Sequence, residues 1–182
     1  RYADNDVGIF VMYSRRVHAA RNVLAGARGS AGMGFGFKES EAVVLEDNWV
    51  VANTTGIYLD NTPRSPNQEV RFERNLLALN DVALRTHGAN RGIRFADNEL
   101  QGNNVVGEVD GGGDMLALTF SGNYWSDYAG YDLDRDGRGD VAYEVKRLSG
   151  ELTDSRPVLR SFRGTVAMGL VDAISEAVPT CS

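Results

Sequence analysis

The sequence predicts an all-β fold, a right-handed parallel β-helix of about five coils. Three observations carry this. The pattern apolar-x-apolar-x-x-Asn recurs five times, ending on Asn22, Asn48, Asn75, Asn98 and Asn123, at separations of 26, 27, 23 and 25 residues. Two residues after each Asn stands an apolar residue: Leu24, Val50, Leu77, Leu100 and Trp125. Upstream of each block lies a second alternating segment, as in Ile9-Phe10-Val11, Phe35-Gly36-Phe37, Ile57-Tyr58-Leu59, Val82-Ala83-Leu84 and Val106-Gly107-Glu108-Val109. Three short period-two segments in about 25 residues, separated by Gly and Asn turns, describe one β-helical coil. Leucine-rich repeats would need a denser Leu consensus and a helical half-repeat, and the sequence has neither.

Each element then has a physical reason. Alternate residues of the strands point inward and stack on their equivalents one coil away, about 4.8 Å along the axis. The repeated Asn marks a turn, because Asn tolerates left-handed backbone and stacked amides can hydrogen-bond along the axis. A partial second stack is expected at Asn53, Asn80 and Asn103. The connections between first and second strands lengthen after Leu59, Leu84 and Val109, which places insertions on one side of the solenoid.

Composition sets outer limits. The chain has 182 residues, is 42% hydrophobic and carries a net charge of −6. This composition excludes intrinsic disorder, and the negative charge argues against nucleic acid as a partner. Cys181 is the single cysteine, which excludes a disulfide framework and a thiolate metal cage. The chain opens on Arg1, with no charged-then-apolar leader after it, and so reads as a portion of a longer protein.

The organisation expected is a β-helix over 1–126, an acidic Asp/Gly loop with an edge segment over 127–157, and an amphipathic helix over 158–178. In the loop, Asp132, Asp134, Asp136 and Asp140 stand at positions 1, 3, 5 and 9 around Gly137. Carboxylates two residues apart converge where the chain curls, the spacing of a Ca²⁺ loop, although a Glu at position 12 is missing. The alternative is a metal-free turn in which Asp side chains cap backbone N–H groups. In the last segment Leu159, Phe162, Val166 and Leu170 recur at helical spacing, which suits either a cover for one end of the solenoid or a docking face for a partner.

The run from Gly122 to Tyr143, with its Gly-Asn-Tyr-Trp-Ser-Asp opening and Asp-rich continuation, resembles the signature that follows the β-helix in NosD-type proteins. Leu159 to Leu170 also resembles the C-terminal region of that family. The resemblance implies a non-catalytic periplasmic accessory protein in copper-site maturation of nitrous oxide reductase. It further implies partnership with an ABC-type ATPase and permease, a copper chaperone and the reductase itself, with this chain as the C-terminal portion. Under that reading the terminal helix becomes the element facing the membrane partner.

Copper prefers thioether and imidazole donors, and the candidates are His18, His87 and Met12, which form no paired motif. Each also reads as an ordinary surface side chain, so a copper contact here would be weak and shared with a partner. A secreted carbohydrate-binding or carbohydrate-active β-helix is the rival reading. It would draw on Glu46 and Glu73 on adjacent coils, with Arg71, Arg74 and Arg94 as their competing partners.

Overall fold

The computed structural model describes residues 1–143, apart from 66, 89 and 112–117. Strand β1 (Tyr2–Ala3) leads into five coils of three strands each. Coil one is β2 (Val7–Met12), β3 (Arg15–Ala20) and β4 (Val23–Ala25). Coil two is β5 (Met33–Lys38), β6 (Glu41–Glu46) and β7 (Trp49–Val51). Coil three is β8 (Thr55–Asp60), β9 (Val70–Glu73) and β10 (Leu76–Ala78). Coil four is β11 (Val82–His87), β12 (Ile93–Ala96) and β13 (Glu99–Gln101), and coil five is β14 (Val105–Asp110), β15 (Leu118–Ser121) and β16 (Tyr124–Trp125). First, second and third strands of successive coils pair in parallel, giving three sheets around one core. The parallel β-solenoid expected from the repeat is therefore the fold observed.

The inward columns follow the sequence pattern. Leu24, Val50, Leu77, Leu100 and Trp125 align in register on the third-strand sheet. Ala19, Leu45, Phe72, Phe95 and Phe120 align on the second-strand sheet. Phe72, Phe95 and Phe120 form a column of rings with centroids 4.6 and 5.3 Å apart, the first pair tilted by 54° and the second stacked at 22°, contacts within the range that aromatic quadrupoles favour. On the first-strand sheet the register differs from the sequence alignment. Ile57 pairs with Leu84 rather than Val82, because Gly56 and Ala83 occupy an extra buried place at the corner. A Cβ on Gly34 would meet the Val50 side chain, and one on Gly56 the Ala83 carbonyl, so that corner takes small residues in coils two to four.

The corners beside the two Asn ladders turn on a left-handed residue that stands just before the ladder position, and not on the ladder Asn. Before the Asn22 column the residues at φ between 53° and 63° are Arg21, Asp47, Arg74, Asp97 and Gly122. Before the second ladder they are Gly26, at φ 74°, and Ala52, Leu79 and Gly102, at φ between 54° and 56°. The Asn that follows supplies the side chain that satisfies the corner. Asn48, Asn75 and Asn98 each donate both the backbone N–H and an Nδ2–H to Oδ1 of the next Asn, at 2.9–3.0 Å. The second ladder runs from the buried Ala27 through Asn53 and Asn80 to Asn103. Ala27 contributes only its backbone N–H, which is why the sequence shows that stack as partial. A third ladder, invisible in the repeat, joins Ser40, Thr62 and Asn90: Ser40 N donates to Thr62 Oγ1 and Thr62 N to Asn90 Oδ1, both at 3.2 Å.

The long connections 61–69, 88–92 and 111–117 lie between first and second strands, as expected. The connection 26–32, between β4 and β5, is also long, so insertion is not confined to one side. At the far end the chain folds back on itself. Tyr143 stacks on Trp125 with centroids 4.2 Å apart and planes 3° from parallel, continuing the Phe stack. The solenoid and its acidic loop form one compact unit from Arg1 to Tyr143. The expected helix over 158–178, with Leu159, Phe162, Val166 and Leu170, lies outside the described residues.

Candidate functional site

The outer face of the second-strand sheet carries two columns of side chains set by strand register. One is His18, Val44, Arg71, Arg94 and Thr119; the other is Ala20, Glu46, Glu73, Ala96 and Ser121. His18 Nε2 lies 2.8 Å from Glu46 Oε1. A carboxylate only accepts, so this contact places the proton on Nε2 and leaves Nδ1 as the free acceptor nitrogen of the neutral ring. Carboxylate-oriented imidazoles are the usual second-shell arrangement of metal-ligating histidines. The same contact, ahead of the Arg74 guanidinium, holds the Glu46 carboxyl below its ordinary range. Arg74 Nε donates to Asp47 at 2.9 Å and its Nη2 to Glu46 at 2.9 Å, and Asp47 chiefly raises the Arg74 pKa further. Glu73 lies 3.5 Å from Arg74 and 3.7 Å from Arg71. The two glutamates of the carbohydrate-active reading are thus both held by guanidinium groups, as the sequence alternative anticipated.

The first-strand sheet ends in the column Met12, Lys38, Asp60, His87 and Asp110. Lys38 Nζ donates to Asp60 at 2.6 Å, which raises the lysine pKa, and Arg85 Nη2 donates to the buried Glu108 at 2.8 Å. His87 packs so close against Gly111, at φ +66°, that a Cβ there would collide with the imidazole. Met12 is exposed beside Lys38, on a different sheet from His18. The structure therefore spreads the three copper candidates over two sheets. Among the described residues, no cluster of three His, Cys, Asp or Glu ligand atoms contains a histidine.

Asp132, Asp134 and Asp136 do come together, each offering a carboxylate oxygen within 4.8 Å of the others. Gly137 N donates to Asp132 Oδ2 at 3.0 Å, Asp136 N to Asp134 Oδ1 at 3.1 Å and Arg138 N to Asp136 Oδ1 at 2.7 Å. Gly137 and Arg135 supply the left-handed turns, at φ 84° and 61°. Asp140 stands apart from the three: its carboxylate accepts from Leu133 N at 2.6 Å and so closes the loop. Every one of these acids is exposed and accepts from a backbone N–H, and Asp134 and Asp136 do so two residues on, in the Asx-turn geometry of the sequence alternative. The loop is anchored by tyrosines that the sequence reading passed over. Tyr128 Oη donates to the Val141 carbonyl at 2.7 Å, and Tyr143 Oη to Asp127 at 3.0 Å. A Cβ at Gly130 or Gly139 would strike the Tyr128 ring, which gives the Gly spacing around Tyr128 its reason.

Comparison with known proteins matches residues 2–130 to the family "Periplasmic copper-binding protein (NosD)". A "Probable ABC transporter binding protein NosD" of Pseudomonas aeruginosa is 32% identical over 110 residues, 60% of this chain and 26% of that protein. A protein of the same description from Stutzerimonas stutzeri is 32% identical over 108 residues, 59% of this chain and 24% of that protein. The chain thus spans about a quarter of the length of these relatives. No solved structure matches it.

Proposed function

The chain belongs to the NosD family of periplasmic copper-binding proteins, and on that premise we propose that it works as a non-catalytic scaffold in copper-site maturation of nitrous oxide reductase. Copper is cargo in this reading rather than a resident cofactor. The observation that carries it is the coincidence of the family match, over residues 2–130, with a solenoid whose outward carboxylates on the second-strand sheet are held by arginines. A general acid–base pair needs two carboxyls free to exchange protons. Glu46 and Glu73 are not placed for that role.

His18 is the side chain we assign to copper, through Nδ1, because Glu46 fixes its tautomer and ring direction. Met12 and His87 are secondary contacts in the same reading. One imidazole without a neighbouring soft donor holds copper weakly, which suits transfer rather than storage. We assign an ABC-type ATPase and permease, a copper chaperone and the reductase as partners, with the apolar stripe Leu159, Phe162, Val166 and Leu170 as the docking element. Ca²⁺ in the loop of Asp132, Asp134, Asp136 and Asp140 is proposed on its spacing alone, as a structural ion.

The test is the copper content of nitrous oxide reductase purified from a host lacking the gene for the full-length protein. The expected result is a copper-poor reductase, restored by the intact gene. A fully loaded reductase from the deleted host would contradict the assignment.

A further inference from the structure

The outer face of the second-strand sheet carries a second feature, an open groove that crosses coils three to five. Its floor is Arg94 with Thr119 and Ser121 of the following strand; its wall is the end of the connection before β9, with Asn67, Gln68 and Glu69. Among the described residues, the side chains of Arg94, Asn67, Gln68, Thr119 and Ser121 have no hydrogen-bond or ionic partner. The rest of the face is different. Arg74 is engaged by Glu46 and Asp47, and Arg71 by Glu73 at 3.7 Å. Glu69, the acid in the groove wall, lies 3.8 Å from Arg71, so its charge is already opposed and Arg94 is the unmatched charge of the lining.

A planar guanidinium flanked by two hydroxyls and two carboxamides is a donor set for carboxylate oxygens. The lining contains no aromatic side chain on which a sugar ring could stack. The groove runs along the solenoid axis over three strands about 4.8 Å apart, a span of about 10 Å, which is the length of roughly three residues of extended chain. From this convergence we infer that the groove binds an acidic segment of a partner protein in extended form, with one carboxylate against Arg94 and the peptide flanked by Asn67, Gln68, Thr119 and Ser121. The interaction is independent of copper: His18 stands in the same outward column as Arg94 but three coils away.

The 182-residue chain is titrated with a blocked hexaglutamate peptide, its hexaglutamine counterpart and trigalacturonate, for the native protein, Arg94→Gln and Arg21→Gln. Hexaglutamate is expected to bind and hexaglutamine not. Arg94→Gln should weaken hexaglutamate by at least tenfold and Arg21→Gln by less than twofold. Raising the salt from 0.05 to 0.5 M should weaken the native interaction, because the contact is solvent-exposed. Absence of hexaglutamate binding, equal binding by Arg94→Gln, or tighter binding of trigalacturonate than of hexaglutamate would each overturn the proposal. Circular dichroism of both variants keeps a folding defect from being read as a lost contact.

Discussion

Asn75 concentrates the logic of the ladders in one side chain. Its Oδ1 accepts from Asn48 N at 3.0 Å and Asn48 Nδ2 at 2.9 Å, while its own Nδ2 donates to the Leu45 carbonyl and to Asn98 Oδ1, both at 3.0 Å. The residue is buried, so each partner it abandons stays dry. Asn75→Leu leaves the two Asn48 donors and the Leu45 acceptor unsatisfied, at roughly 1–3 kcal/mol each, and is expected to cost at least about 3 kcal/mol in denaturant unfolding. An unchanged midpoint would contradict the ladder. Thr86 argues the same physics in reverse. It stands in the inward column between Leu59 and Val109, fully buried, and among the described residues its Oγ1 is the buried side-chain polar atom without a hydrogen-bond partner. Thr86→Val keeps the shape and removes the orphaned hydroxyl, so the variant should be more stable by about 1 kcal/mol. Loss of stability would mean that the hydroxyl has a partner after all.

At the scale of elements, legibility follows how uniformly a position is filled. The first Asn ladder was readable because all five coils use the same residue at near-constant spacing. The third, of Ser40, Thr62 and Asn90, was not, because three residue types serve one purpose at separations of 22 and 28 residues. The phase of coil four slipped because Val82 and Leu84 are equally apolar, and only the buried corner at Ala83 decides which of them stacks on Ile57. Left-handed turns at Arg21 and Arg74 had no signal, since arginine does not favour that conformation, whereas Asp47, Asp97 and Gly122 in the same column are residue types that tolerate it. The acidic loop was legible in part: the spacing predicted convergence of Asp132, Asp134 and Asp136, but not the tyrosine contacts that hold the loop or the diversion of Asp140 to Leu133 N. Three clustered carboxylates repel one another unless a cation or backbone donors offset them. Added Ca²⁺ should raise the melting temperature of the chain and a chelator should lower it again. Identical melts with and without the ion would leave backbone capping as the whole explanation of the loop.

Over its described residues the molecule is a solenoid whose interior is uniform and whose exterior differs sheet by sheet. Of the net charge of −6, the span Asp127 to Glu144 contributes −4, from six acids against Arg135 and Arg138, so most of the surplus sits at one end of the solenoid. Polar side chains inside belong mainly to the ladders, while on the outer face of the second-strand sheet ion pairs hold Glu46, Glu73 and Arg74 and leave Arg94 in the groove unmatched. Among the described residues no cluster of candidate ligands contains a histidine, and the copper candidates are separate: His18 on one sheet, Met12 and His87 on another. Copper contact through one oriented imidazole, completed by a partner, is the central claim. It is tested most directly by titrating Cu(I) into the chain against a calibrated chelator, for the native protein, His18→Ala and His87→Ala. Weak binding that falls at least tenfold in His18→Ala, and much less in His87→Ala, is the predicted result. A tight one-to-one site that survives His18→Ala would contradict it.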